Sequence, residues 1–411
     1  MSLDKLNKVL GQEVAELEKK GTSKGVEMVI EKIIPASGEK GPRYLVNGYG
    51  DLEFIKMNSN SYLGLSMNKE VIAAEEAGSK EFGVGPGAVR FISGTYSKHI
   101  ELEKRLAKFH GRESAMIFSS AYVTSLGVIV PLATKETVFV SDELNHNCII
   151  QAMRLSRPAG KFIYKHNDME DMEVKLQEAI GVGKRVLLVT DGVFSMRGDY
   201  APFDEINRIA AKYEDRFEEG IITIADDSHG VGAYGENGLG TEEITGGRMD
   251  ILIGTLGKAY GINGGYVVSS KKVVRYLRET APMYIYSNPI TCSECSAVLK
   301  VLDILQSDYG KSRLKHLKAM TEMFSKGITD NGMETIPGPH PVVPLMVRDT
   351  DKTSKIVEYL KKKGILATGL NFPVVPKGDE EIRFQINGDH TKADIQYVID
   401  ALKSFNSLIL K

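Results

Sequence analysis

The chain has 411 residues, 42% of them hydrophobic and 26% charged, and its 52 Lys+Arg against 54 Asp+Glu leave a net charge of −2. These proportions belong to a folded protein of two or three domains and exclude a disordered, collagen-like or fibrous chain. The balanced charge predicts no nucleic-acid partner and no attraction to an anionic membrane.

Met1 to Lys20 alternates charged and apolar residues at helical spacing, unlike a secretory signal, and no run reaches the about eighteen apolar residues of a membrane span, so a cytoplasmic protein is expected. Residues 1–55 read as this helix followed by extended pieces around Pro42 and Gly50 that pack on a small C-terminal domain. Short β-branched runs then alternate with helical patterns: Ala115 to Ser119, Thr137 to Ser141, Arg185 to Thr190, Gly220 to Asp226, Ile251 to Thr255 and Gly265 to Ser269. That alternation predicts an α/β fold, with residues 56–290 as a large domain. Continuous apolar runs, such as Val186 to Val189 and Ile221 to Ile224, mark strands covered on both faces in a largely parallel sheet. Residues 291–411 read as a smaller α+β domain: a helical stretch from Cys292 to Gly327, an extended run from Pro341 to Val347, a helix from Thr353 to Lys363, a strand from Ile382 to Ile386, and a closing helix after His390.

Three cysteines, Cys148, Cys292 and Cys295, are too few for a disulfide framework and fit a reducing compartment. Cys292-x-x-Cys295 has metal-like spacing, but with no second pair and no His cluster it reads as a helix start, and no metal site is expected.

Ligands of such sheets bind beyond the carboxyl ends of the strands. One predicted strand ends in Asp226-Asp227-Ser228-His229-Gly230 and another in Thr255-Leu256-Gly257-Lys258-Ala259. A lysine after a buried strand, ringed by small residues, is poorly solvated, which leaves its amine neutral enough to form an imine. A carboxylate and such a lysine on neighbouring strand ends are what pyridoxal 5'-phosphate requires, because a protonated ring nitrogen makes the ring an electron sink. The cofactor's phosphate needs a cradle, and the strand Ala115 to Ser119 runs into a helix start at Ser120-Ala121-Tyr122, where free N–H groups favour an anion. Thr255 adds a hydroxyl. Taken singly, each feature has a commoner structural explanation: a lysine in a glycine loop, a polar helix opening at His146, a strand-end histidine at His229, a surface charge at Arg383.

Together and in order, the segments resemble the α-oxoamine synthases, pyridoxal-phosphate enzymes of fold type I that condense an amino acid with an acyl-CoA. The resemblance runs from about Asn58 to the end and rests on Asn60-Ser61-Tyr62-Leu63-Gly64-Leu65, Gly94-Thr95 with His99 and Glu101-Leu102-Glu103, Asp142 with Asn145-His146, Asp191 to Met196, Asp226 to His229 and Thr255 to Lys258. Within the family, Pro373-Val374-Val375-Pro376-Lys377-Gly378 followed by Ile382-Arg383 is most similar to the glycine C-acetyltransferase branch.

The resemblance implies that Lys258 carries the cofactor, Asp226 pairs with the ring nitrogen, His146 stacks on the ring face, and Ser195 and His229 reach the phenolic oxygen. It gives the phosphate to the backbone at Ala121 and Tyr122 with Thr255, and gives Ser287 the phosphate of a neighbouring subunit. That role implies a homodimer with its active site at the subunit interface. Arg383 takes the substrate carboxylate and Asn60 the substrate or acyl carbonyl. Asp227 and Ser228 read as turn residues. The expected reaction joins glycine, or another small amino acid, to an acyl-CoA. Acetyl-CoA is the first choice, with 8-amino-7-oxononanoate or serine palmitoyltransferase-like long-chain transfer as the alternative.

Two rivals are weaker. An aminotransferase on this fold usually has tyrosine where His229 stands, and a regulator's effector domain would need an added DNA-binding unit. The chain departs from the family at Ser61, Asn371-Phe372 and Asn387-Gly388-Asp389, all toward the substrate end, and no early arginine for CoA phosphates stands out beside Lys24 and Arg43.

Overall fold

The computed structural model describes residues 2–20, 22, 23, 25–372 and 374–409. Its centre is a seven-stranded sheet built from β1 (Ser114–Phe118), β2 (Thr137–Asp142), β3 (Gly160–Tyr164), β4 (Arg185–Asp191), β5 (Ile221–Asp226), β6 (Ile251–Thr255) and β7 (Gly265–Ser269), in the order β1-β7-β6-β5-β4-β2-β3. β2 to β6 are parallel, and β7 runs antiparallel to both of its neighbours. The continuous apolar runs have the predicted cause. In β4, Val186 and Leu188 enter one hydrophobic core while Leu187 and Val189 enter the other, so both faces of the strand are covered. β3 escapes sequence reading because it is an edge strand: Lys161 and Ile163 are exposed and its apolar run is only the three residues Phe162 to Tyr164.

The stretch expected as one helix from Cys292 is two, Cys292–Leu305 and Asp308–Asp330, because Ser307 caps the second by accepting from the Gly310 N–H at 3.2 Å. A four-stranded antiparallel sheet follows, in the order Glu334–Thr335, Val342–Met346, Glu381–Gln385, Thr368–Leu370. Helix Thr350–Lys362, capped by Asp349, and helix Lys392–Ile409 complete this part.

The extended N-terminal pieces dock on the C-terminal region. Ile55–Lys56 pairs with Ile365–Leu366, the Gly41 N–H donates to Asp394 at 2.9 Å, and Arg43 binds the same carboxylate at 2.5 Å. Arg43 is thereby committed to Asp394, and Lys24 lies outside the described residues. Helix Ser2–Lys19 does not share in this docking: Leu3, Leu6, Leu10 and Val14 are all exposed. Among the described residues no helix is long and apolar enough to cross a membrane.

Candidate active site

The register of the sheet brings the predicted strand ends together. Asp226 pairs with Asp191 of β4 on one side and with Ile253 of β6 on the other, which places it in the middle of the sheet's carboxyl edge. Its carboxylate accepts from four donors. Ser125 donates from Oγ at 2.8 Å and Cys148 from Sγ at 3.5 Å to Oδ2, while the Ser228 Oγ at 2.5 Å and its N–H at 3.2 Å go to Oδ1. Ser228 therefore holds the carboxylate, a role beyond the turn expected for it. Asp227 keeps the turn, accepting from the N–H and hydroxyl of Thr241 at 2.7 Å each. Beside Asp226, burial and the neighbouring Asp226 charge push the carboxyl of Asp191 well above the usual carboxylate range.

Lys258 stands three residues beyond β6 in a loop closed by the Gly261 N–H to Lys258 O bond at 3.0 Å. Burial pulls its amine below the ordinary lysine value, and the Asp226 and Asp191 carboxylates only partly restore it. The same amine adds to burial in holding down the imidazoles of His146, His229 and His340. These are neutral rings, and hydrogen bonds to backbone groups assign the tautomers of His146 and His340. Burial keeps the Tyr62 phenol protonated, and its hydroxyl is hydrogen-bonded to His229 Nδ1 at 2.6 Å. His146 opens helix Asn147–Ser156, and its Nδ1 accepts from the Cys148 N–H at 3.3 Å, which leaves its proton on Nε2. The helix-opening role and the site position thus belong to one side chain. The backbone N–H of His146 is anchored on Asp191 Oδ2 at 2.9 Å.

The expected phosphate cradle lies at the end of β1. Ser120 caps helix Ala121–Leu132, taking the Val123 N–H on its hydroxyl and the Thr124 N–H on its carbonyl, and a helix start has no internal acceptor for the N–H groups of Ala121 and Tyr122. Gly265 of β7 pairs with Phe118 on one side and Thr255 on the other, so the helix start and the threonine share one end of the sheet. The fit is close: a Cβ on Gly265 would stand 2.4 Å from the Ala121 nitrogen. The Tyr122 ring meets His146 edge-on at 6.4 Å.

At the expected substrate end, Arg383 lies on the strand Glu381–Gln385 and donates to the Ser195 carbonyl at 3.2 Å, with its Nε buried and without a partner among the described residues. Gln385, on the same strand face, donates to the side-chain oxygen of Asn60, and its own Oε1 is buried and unpartnered among the described residues. Ser287 makes none of these contacts and follows helix Pro282–Ile285 beside the exposed Tyr286. Pro373 lies outside the described residues.

Pyridoxal phosphate suits this set of groups. The set combines a carboxylate with four donors facing a desolvated amine, a side-chain-free cradle at a helix start, and a guanidinium with a spare buried N–H. Sequence reasoning assigned no role to Tyr62, Ser125, Cys148, Asp191, Gln385 or His340. Ser125 and Cys148 had a local signal, one turn after Ala121 and two residues after His146. His340, which donates from Nε2 to the His229 carbonyl at 2.9 Å, had none.

A model of the family aminotransferase class I and II matches residues 53–402. The chain is 38% identical to an 8-amino-7-oxononanoate synthase of Thermosipho melanesiensis, over 84% of this chain and 86% of that protein. It is 37% identical to the mitochondrial 2-amino-3-ketobutyrate coenzyme A ligase of Bos taurus, over 97% of this chain and 92% of that one. Among solved structures, a serine palmitoyltransferase from S. paucimobilis with bound PLP and myriocin matches with a TM-score of 0.86 at 25% identity, covering 99% of this chain and 98% of that one.

Proposed function

Because this chain belongs to the aminotransferase class I and II family and, within it, to the α-oxoamine synthases, which are pyridoxal-phosphate-dependent C-acyltransferases, we propose that it condenses glycine with acetyl-CoA to a 2-amino-3-oxo acid and free CoA. The observation that carries this reading is the desolvated Lys258 amine facing the Asp226 carboxylate. The acetyl donor is supported by the Bos taurus ligase, whose match extends over nearly the whole chain. The Thermosipho melanesiensis synthase, equally similar, supports a longer acyl chain as the second reading.

When bound, the cofactor supplies a cationic ring that absorbs the electron pair left on the amino acid's α-carbon. Asp226 holds the proton on the ring nitrogen, with Ser125, Cys148 and Ser228 fixing its carboxylate. His146 covers the ring face. His229 and Ser195 address the phenolic oxygen. The N–H groups of Ala121 and Tyr122, with Thr255, hold the phosphate. Arg383 binds the substrate carboxylate, for which its planar fork suits two parallel hydrogen bonds, and Asn60 orients the acyl carbonyl. Lys258 Nζ takes the α-proton, as a desolvated amine is suited to do. Overall the α C–H bond breaks, a C–C bond forms to the acyl carbonyl carbon, and the C–S bond breaks so that CoA leaves as the thiol. Two copies pair so that Ser287 reaches the partner's phosphate. Three buried free thiols support a cytoplasmic setting.

The test is thiol release from holoenzyme given glycine, alanine or serine against acetyl-, pimeloyl- and palmitoyl-CoA. Glycine with acetyl-CoA should be fastest; no release from any pair would overturn acyl transfer. Lys258→Ala should fold yet lose the visible band of the lysine-bound cofactor.

A further inference from the structure

We propose that His166 is a positioning residue, a doubly hydrogen-bonded imidazolium that locks the segment carrying His146 to the loop carrying Ser195 and releases that lock in alkali. The inference rests on the roles given above to those two residues.

His166 follows β3 and has a side chain only 13% exposed. Its Nδ1 lies 3.1 and 3.3 Å from the two oxygens of Asp142, and its Nε2 lies 3.0 Å from Asp199 Oδ2. An ionised carboxylate only accepts, so both ring nitrogens must donate, and a ring that donates at both is the cation. Its two partners are tied to the two halves of the site. Asp142 closes β2 four residues before His146, and its oxygens also take the N–H groups of Leu144 at 2.8 Å and Asn167 at 2.9 Å. Asp199 ends the loop that holds Ser195: its carbonyl accepts from the Phe194 N–H at 2.9 Å and its carboxylate from Arg197 at 3.0 Å. The Phe194 ring meets His166 edge-on, with centroids 4.3 Å apart.

The backbone around the ring is equally constrained. The His166 N–H donates to Glu143 at 3.0 Å, while Asn167 stands at φ 52° and donates to the Tyr200 carbonyl at 3.2 Å. Asparagine tolerates this left-handed conformation better than most non-glycine residues, and here its side chain is held by the Tyr200 carbonyl. His166 makes no contact with Lys258, Asp226 or His229 among the described residues, so it acts through other groups.

The charged and titratable groups that touch His166 or its partners include Asp142 and Asp199 on the ring, Glu143 on its backbone N–H, Tyr164 beside Asp142, and Arg197 on Asp199. Burial alone would lower the imidazole; the hydrogen bonds and charges of Asp142 and Asp199 outweigh it and push it up to about 9. The value is raised on folding, so the lock is complete below the ordinary histidine value of about 6.5 and is lost as pH rises through about 9.

The test follows visible circular dichroism per bound cofactor from pH 6.5 to 10 in holoenzyme, His166→Asn and Asp199→Asn. The wild-type signal should fall with a midpoint near pH 9. His166→Asn should start lower and lose that midpoint, and Asp199→Asn should keep the signal at pH 6.5 while its midpoint drops by about one unit or more. A loaded His166→Asn protein that superposes on wild type at every pH overturns the proposal. So does an unmoved midpoint in Asp199→Asn, which decides alone if His166→Asn fails to fold. If wild type itself binds no pyridoxal phosphate, the functional reading fails separately. The lock is then read from Tm: the wild-type advantage over Asp199→Asn must shrink between pH 6.5 and 9.5, and a constant difference overturns it.

Discussion

The Tyr62 hydroxyl lies 2.6 Å from Nδ1 of His229, a contact between residues 167 positions apart in the chain. A phenol kept protonated by burial both donates and accepts, so the contact fixes the orientation of the His229 ring. Tyr62→Phe removes that partner and frees the ring. A lost buried partner costs about 1–3 kcal/mol, so the rate of thiol release should fall by about 5- to 150-fold. An unchanged rate and an unchanged cofactor spectrum would remove Tyr62 from the site.

Asp226 depends on its donors. Ser125→Ala deletes the 2.8 Å hydrogen bond to Oδ2 and leaves that oxygen with only the weaker thiol of Cys148 at 3.5 Å. Bonds to charged groups are worth about 1.5–3 kcal/mol, so the dissociation constant for pyridoxal phosphate, measured by equilibrium dialysis, should rise by about tenfold or more. Cys148→Ser, which substitutes a better donor, should change it much less.

Gly265 is where a side chain cannot enter the proposed phosphate cradle. Gly265→Ala would put a methyl 2.4 Å from the Ala121 nitrogen and 2.5 Å from Thr124 Oγ1. Overpacking of this kind costs about 1–3 kcal/mol. The variant should show a lower Tm and weaker retention of the cofactor on gel filtration, and retention equal to wild type would argue against a phosphate there.

Glu381 is buried on the strand that carries Arg383, with Oε1 unpartnered among the described residues. Burial raises its carboxyl to about 8, against the pull of Arg383 and Arg197. Folding therefore favours the protonated acid, and stability is lost as pH climbs from the ordinary glutamate range through about 8. Glu381→Gln, neutral throughout, should gain Tm over wild type as pH is raised from 5 to 8.5. A difference that does not grow across that range counts against a protonated Glu381.

Local pattern carried much of this architecture. Strands β4, β5 and β6 were visible because each is a short apolar run covered on both faces, and Asp226 and Lys258 stood out because each follows such a run. Where the covering is one-sided, as in β3, the run shortens to Phe162–Tyr164 and the signal weakens with it. One hydroxyl, that of Ser307, splits the long helical stretch, a break that helical periodicity alone does not announce. The substrate-end pairing was illegible for another reason: Gln385 meets Asn60 across 325 residues, and His340 meets His229 across 111. No window of sequence contains both partners.

What the chain's own order of residues determined was the alternation of strands and helices, and the chemistry waiting at two strand ends, because both follow from neighbours a few positions away. What only the tertiary structure decided was protonation. The depressed amine of Lys258, the neutral ring of His229, and the imidazolium of His166 are set by burial and by charges brought from distant segments, and these exist only once the sheet has closed.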